Sequence, residues 1–253
     1  MNIQNQKTPS GRNRNAPHTG SDTNGSPPET DTESATAQQY RIAVAGNPNS
    51  GKTSVFNALT GGNQTVGNYP GVTVEKKEGT VKWGAERFHF VDLPGTYSLT
   101  AYSMDEIVAR DHIIDQPPDV LIQVVDAANL ERNLYLTLQL LEMEVPVVIA
   151  LNMVDVARNH GIQVDAETLS TELDVPVVET IGSRRKGIGE LLKKAKEAAY
   201  RHRNGETIGK TIYFDDELEH QIAQLSDTLT DTHLPKNISP RWTALKFLEA
   251  DEQ

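Results

Sequence analysis

The sequence predicts an α/β fold: a mostly parallel six-stranded sheet with one antiparallel edge strand and helices on both faces, plus a small all-helical C-terminal subdomain. Three observations predict it. Between Tyr40 and His202, short apolar runs of strand length alternate with longer helical segments, the order that produces parallel strands joined by helical crossovers. The first run, Arg41-Ile42-Ala43-Val44-Ala45, enters Gly46-Asn47-Pro48-Asn49-Ser50-Gly51-Lys52-Thr53 and then a helix start at Ser54-Val55-Phe56. From about Gly205 the strand signals stop and helical ones take over.

Taken in order, residues 1–38 contain almost no large apolar side chain and cannot offset the entropy of ordering, which predicts a disordered tail. A sheet domain over 39–204 and a helical subdomain over 205–253 follow. After the first helix, residues 61–71 are rich in Gly and Asn, the composition of a loop that stays mobile until a ligand holds it. Val74 to Trp83 is polar and alternating, as in an edge strand, and Phe88-His89-Phe90-Val91 reads as its antiparallel partner. Helices are expected at about 105–114, 130–143, 165–173 (capped by Asp165) and 187–202, with strands at 120–125, 145–151 and 175–179. Helices at 215–229 and from Pro240 complete the chain. It stops at Gln253 without a cap, which points to a chain cut from a longer one.

Composition removes several functional classes. Lys and Arg number 24 against 35 Asp and Glu, a formal charge of −11. That balance repels nucleic acid and anionic lipid, and it leaves only Arg184-Arg185-Lys186 as a local basic patch. With no cysteine there are no disulfides, thiolate zinc sites or cysteine nucleophiles. No apolar run reaches the ~18 residues of a membrane span and no signal-peptide pattern opens the chain, so it reads as soluble and cytoplasmic. The seven histidines are scattered without metal-ligand spacing.

The motifs point to a phosphate-binding site. Gly46 to Thr53 has the form G-x-x-x-x-G-K-[ST], whose backbone N–H groups and following helix N-terminus cradle phosphate oxygens. Lys52 would reach the β- and γ-phosphates, Thr53 would ligate Mg²⁺, and Ser54 continues the helix start. Asp92-Leu93-Pro94-Gly95 follows a strand: Asp92 can hold Mg²⁺ through water, and the Gly95 N–H can reach a γ-phosphate. Thr73, just after Gly71 and Val72, is placed to close over Mg²⁺ as a switch threonine. Asn152-Met153-Val154-Asp155 ends another strand, and the Asp155 carboxylate can accept from guanine N1–H and N2–H₂ together. Met153 stands where such a motif usually has Lys, keeping an apolar stem but no charge. Gly182 and Ser183 fall where a base-supporting loop belongs, in a register that the sequence leaves open within one or two residues. Thr96 follows Gly95 where many switch GTPases carry a water-orienting Gln, so hydrolysis is expected to be slow or to use another device. Asn49 is the candidate device, its carboxamide coordinating a monovalent cation beside the phosphates.

Together these signals indicate a GTPase with a P-loop GTPase fold, and the match narrows further. Val66-Gly67-Asn68-Tyr69-Pro70-Gly71-Val72-Thr73-Val74-Glu75 resembles the switch I region of FeoB-type ferrous-iron transporters. So do the phosphate loop, Asp92 to Leu99, Asn129 to Thr137 and the Met-bearing Asn152 to Asp155 motif. The resemblance covers about Gln39 to the end. It implies a cytoplasmic G domain plus a helical domain named for stabilising bound GDP, working at the cytoplasmic face of the bacterial inner membrane. It implies GTP, GDP, Mg²⁺ and K⁺ as ligands, potassium stimulation through Asn49, and Fe²⁺ uptake through a membrane-spanning permease region. That region is normally in the same polypeptide and is absent here, so the chain is a fragment or docks on a separate membrane partner. Asn49, Lys52, Thr73 and Gly95 are then the expected catalytic set. Nucleic acid is not an expected partner, and a homo-oligomer is left open. Two other functions stay open: a soluble GTPase of ribosome or tRNA maturation, and a non-catalytic GTP-sensing module.

Overall fold

The computed structural model describes residues 38–100, 102–230, 234 and 238–249; the expected tail at 1–38 lies outside them except for Gln38. β1 (Gln39–Gly46) is a buried apolar run that becomes the centre of the sheet. It pairs in parallel with β4 (Glu86–Asp92) on one side and β5 (Val120–Asp126) on the other. β6 (Val147–Asn152) and β7 (Val177–Glu179) extend the sheet in parallel beyond β5. β3 (Glu75–Trp83) runs antiparallel to β4, and β2 (Gln64–Asn68) antiparallel to β3. The order is β2-β3-β4-β1-β5-β6-β7.

The sheet therefore has seven strands among the described residues, where the sequence predicts six. The addition is β2, in the stretch expected to be a mobile loop. β3 is the single strand of opposite sense, as expected, but it is not the edge. β2 takes the edge because backbone pairing with β3 satisfies its N–H and C=O groups even though its side chains stay largely exposed.

Alternation along each strand sends side chains to two cores. On one face Ile42, Val44, Phe88, Phe90, Ile122 and Val124 pack under α1 (Lys52–Thr60) and α6 (Ile188–Arg203). On the other, Ala43, Val91, Leu121, Ile149 and Leu151 pack under α2 (Met104–Asp115), α3 (Leu130–Glu142), α4 (Val154–Asn159) and α5 (Ala166–Leu173). α2 opens on a capping box between Ser103 and Glu106. Asp165 caps α5, accepting from the N–H groups of Glu167 and Thr168. α4 starts within the Asn152–Asp155 motif, at Val154, a helix that the sequence does not predict.

α7 (Asp216–Thr230) and α8 (Pro240–Leu248) form a small core of Ile222, Ala244 and Leu245. Arg241 stitches it together, donating to both Glu219 oxygens and to the Ile212 carbonyl. Ile212 itself packs against the sheet core, and the Ser239 hydroxyl donates to Glu144 at 2.9 Å. No helix among the described residues is long and apolar enough to cross a membrane.

Candidate nucleotide-binding site

In a sheet of this kind, loops at the carboxyl ends of the parallel strands share one edge. The loops after β1, β4, β6 and β7 bring the predicted residues together there. The chain leaves β1 at Gly46 and turns through Asn49 at φ 67° and Gly51 at φ 82°. Ser50 N–H donates to the Asn47 carbonyl at 3.1 Å. Gly51 is required twice over, by its φ and because a Cβ would lie 2.3 Å from Asn152 Nδ2. α1 starts at Lys52 with no acidic residue in its first turn and no side-chain cap, leaving its N–H groups for an anion. Among the described residues, the buried Asn47 Oδ1 and Ser50 Oγ have no hydrogen-bond partner.

Lys52 Nζ pairs with Asp92 Oδ1 at 2.5 Å, joining the phosphate loop to the end of β4. Burial pushes the Asp92 carboxyl above the usual carboxylate range, against the opposing pull of the Lys52 ammonium. Gly95 lies beside Pro48, so the Asp92–Gly95 turn rests on the phosphate loop. Thr53 is exposed at the start of α1, and Asn49 is exposed in the loop. The hydroxyl of Thr53 and the carboxylate of Asp92 are hard oxygen donors of the kind Mg²⁺ takes.

The stretch after Gly95 is held by residues that motif reading missed. Thr96 is buried, and Tyr97 stacks against the Arg132 guanidinium 3.9 Å from its ring centre. The Ser98 hydroxyl donates to Glu106 at 2.6 Å, and Leu99 N–H donates to Gln139 Oε1 at 2.7 Å. Arg132 also offers its carbonyl to Asn47 Nδ2 at 3.2 Å, so α3 touches both loops. The Asn129–Thr137 stretch carried this signal as a resemblance only; the contacts depend on the tertiary placement of α3.

Gly71, Val72 and Thr73 sit in the turn that closes a hairpin of β2 and β3. Tyr69 N–H donates to the Val74 carbonyl, and Val72 N–H to the Tyr69 carbonyl. Thr73 is exposed in that turn. Tyr69, also unanticipated, is buried, donates its hydroxyl to the Asp92 carbonyl at 3.2 Å and meets the His112 ring edge to face. Burial raises the Tyr69 pKa and lowers that of His112 to about 4.

At the β6 end, Asn152 spends its amide on the protein. Nδ2 donates to the Ser50 carbonyl at 3.0 Å, while Oδ1 accepts from Gly182 N–H at 3.0 Å and from the Thr180 hydroxyl at 3.2 Å. It thus ties the phosphate loop to the loop after β7. Met153, at φ 58°, brings its methyl against Gly51. Asp155 accepts from Val156 N–H and keeps Oδ2 turned to Arg184, 3.7 Å away. Gly182 packs so closely on α1 that a Cβ would lie 2.9 Å from Val55 Cγ2. Ser183 is exposed beside it, and Arg185 anchors the loop by donating to the Ala58 carbonyl at 2.9 Å.

Comparison with known proteins agrees with this arrangement. Residues 40–195 match the family described as Ferrous iron transport protein B, and 214–253 match the FeoB cytosolic helical domain. The Fe(2+) transporter FeoB of Salmonella choleraesuis is 45% identical over 218 residues, 85% of this chain but 27% of the relative. That of Escherichia coli K12 is 44% identical over 219 residues, again 85% and 27%. The chain thus spans about a quarter of the length of these curated relatives. The cytosolic domain of the T. maritima FeoB iron transporter, in its GMPPNP form, superposes with a TM-score of 0.79 at 42% identity, covering 85% of this chain and 82% of that one. Its GDP form I gives 0.78 at 41%, covering 85% and 82%. The cytosolic domain of L. pneumophila FeoB gives 0.76 at 38%, covering 83% and 88%. With its phosphate loop, mixed seven-stranded sheet and appended helices all matched, this chain belongs to the FeoB ferrous iron transport protein family.

Proposed function

We propose that this chain is the GTP-binding and slowly GTP-hydrolysing region of a ferrous-iron transporter, working at the cytoplasmic face of the inner membrane and regulating Fe²⁺ uptake through a permease region. The observation that carries the reading is the convergence of Lys52, Asp92, Gly95, Asn152 and Asp155 at one sheet edge around an uncapped helix N-terminus. The relatives' GDP and GMPPNP forms support a guanine nucleotide as the ligand.

In this reading Gly46 to Ser54 wrap the phosphates, and Lys52 exchanges Asp92 for the β- and γ-phosphate oxygens. Thr53, Thr73 and, through water, Asp92 would hold Mg²⁺, which when bound would neutralise charge on the phosphoryl oxygens. Gly71, Val72 and the Gly95 N–H contribute backbone donors around the γ-phosphate. Asp155 selects guanine, Met153 covers the base with its apolar stem, Gly182 and Ser183 border it, and Asn152 holds these loops in place. Thr96 is buried and has no carboxamide, so water is oriented by backbone groups of the 71–73 turn. Asn49 is exposed in the loop and free to coordinate K⁺ beside the transferred phosphate. The domain boundaries proposed are 39–204 for the G domain and 205–253 for the helical part.

GTP turnover with Mg²⁺ in KCl and NaCl at equal ionic strength tests the reading, wild type beside Asn49→Ala. The expected result is faster turnover in KCl, lost in the mutant. Equal rates in both salts would remove Asn49 from catalysis and leave a slow GTP sensor.

A further inference from the structure

We infer that Arg184 is a built-in competitor of guanine for Asp155 and so sets how fast nucleotide leaves. The inference rests on Asp155 as the guanine acceptor proposed above. The geometry is specific to this loop. Arg185 adopts φ 55° and is pinned to the C-terminal end of α1 through the Ala58 carbonyl. Ile181 bridges to Lys186, with N–H donors at 3.1 and 3.2 Å closing the turn, and Gly182 is clamped by Asn152 and Val55. The loop backbone is therefore fixed at both ends, and it presents Arg184 toward Asp155. Nη1 stands 3.7 Å from Oδ2, with the Arg184 side chain 73% exposed and that of Asp155 28% exposed.

The chemistry of the two possible partners of Asp155 is the same. Guanine offers a carboxylate two N–H donors on adjacent nitrogens of one planar N–C–N unit, its N1–H and N2–H₂. A guanidinium offers the same planar pair and adds a full positive charge. Adenine has no such edge, and Lys has the charge without the fork. Oδ1 accepts from Val156 N–H and, like Oδ2, keeps lone-pair capacity, so either fork would need the same outward side of the carboxylate, which Arg184 faces at Oδ2. As the base lifts from Asp155, the guanidinium can take its place before water does, which lowers the cost of the departing step. An exposed ion pair is weak, so this changes the rate modestly and leaves guanine selection intact.

The test is stopped-flow dissociation of fluorescently labelled GDP from the whole chain with Mg²⁺ present. Arg184→Ala should slow release by about two- to fivefold, the range that an exposed pair commands, with the association rate unchanged or faster. Arg184→Lys should fall between, because charge remains but the fork is gone. In an Asp155→Ala background the Arg184→Ala change should have no effect, since the two act on each other. Unchanged or faster release in Arg184→Ala would overturn the inference; faster release would instead make Arg184 a support for bound nucleotide. Asp155→Ala also tests the underlying reading separately: if it leaves the preference for GDP over ADP intact, Asp155 does not read guanine, whatever Arg184 does.

Discussion

At the β6 end of the site, Asn152 is 2% exposed and its amide joins two segments, the phosphate loop at the Ser50 carbonyl and the loop after β7 at the Thr180 hydroxyl and the Gly182 N–H. At the β2 end, four of the five strand residues are exposed, and of residues 64–74 only Tyr69 is buried. The first touches the phosphate loop directly, and the second reaches it through Asp92, which pairs with Lys52. The first is an over-determined clamp whose loss leaves several buried groups unsatisfied; the second is a ladder of edge hydrogen bonds with one buried pin. Local stability follows such differences, and elements that must move come from the weakly buried end. The contrast therefore assigns rigidity to the base side of the proposed site and opening to residues 64–74.

The largest expected effect is on the clamp. Asn152→Ala orphans the Ser50 carbonyl and the Gly182 N–H in buried surroundings and should lower unfolding free energy by about 3–4 kcal/mol. Urea unfolding measures this; a loss below that of the Tyr69 change would reverse the ranking of the two regions. Next comes His112, which packs on Tyr69 and stays neutral because burial holds its pKa near 4. Its folded pKa lies below the unfolded value, so stability is complete above about pH 6.5 and is lost as pH falls toward 4, by about 2–3 kcal/mol. Thermal melts across that range should show the decline, and His112→Gln should flatten it. Removing the pin's hydroxyl with Tyr69→Phe should cost about 1 kcal/mol and speed hydrogen exchange at 64–74 roughly fivefold, without touching exchange in β5 or β6. Uniform exchange across the sheet would sink the idea of a locally opening hairpin.

The smallest effect lies outside both regions. Arg241 hydrogen-bonds to Glu219 and holds its carboxyl down to about 2. That contribution is complete above pH 4.5 and is lost as pH falls through 2. The pair is partly open to solvent, so it is worth less than about 1 kcal/mol. A melt of Arg241→Gln that retains the wild-type acid profile between pH 4.5 and 2 would remove it from the account.

Much of this was legible in the residues. The phosphate loop declares itself because its spacing, its preceding strand and its following helix are all local. The apolar runs of β1, β5 and β6 and the Asp165 cap of α5 are local as well. β2 was not legible, since Gln64-Thr65-Val66-Gly67-Asn68 has loop composition and becomes a strand only by pairing with Glu75 to Gly79. Tyr69 looked like part of that loop; the ring it meets is that of His112 in α2, 43 positions further along the chain. The placement of the loop near Ser183 was not legible for the same reason: it depends on Gly182 N–H meeting Asn152 Oδ1 across 30 residues.

By itself, then, the sequence determined the phosphate loop, the alternation of strands and helices, and the candidate ligands of phosphate and guanine. Each depends on spacing within a few residues, and backbone conformation and helix dipoles act over that distance. Only the tertiary structure decided that Asn152 clamps rather than reads, that residues 64–83 form a hairpin tied to Asp92 through Tyr69, and that Arg184 faces Asp155. Those outcomes depend on side chains far apart in the chain competing for the same few partners, and that competition is settled only when the sheet brings the strand ends together.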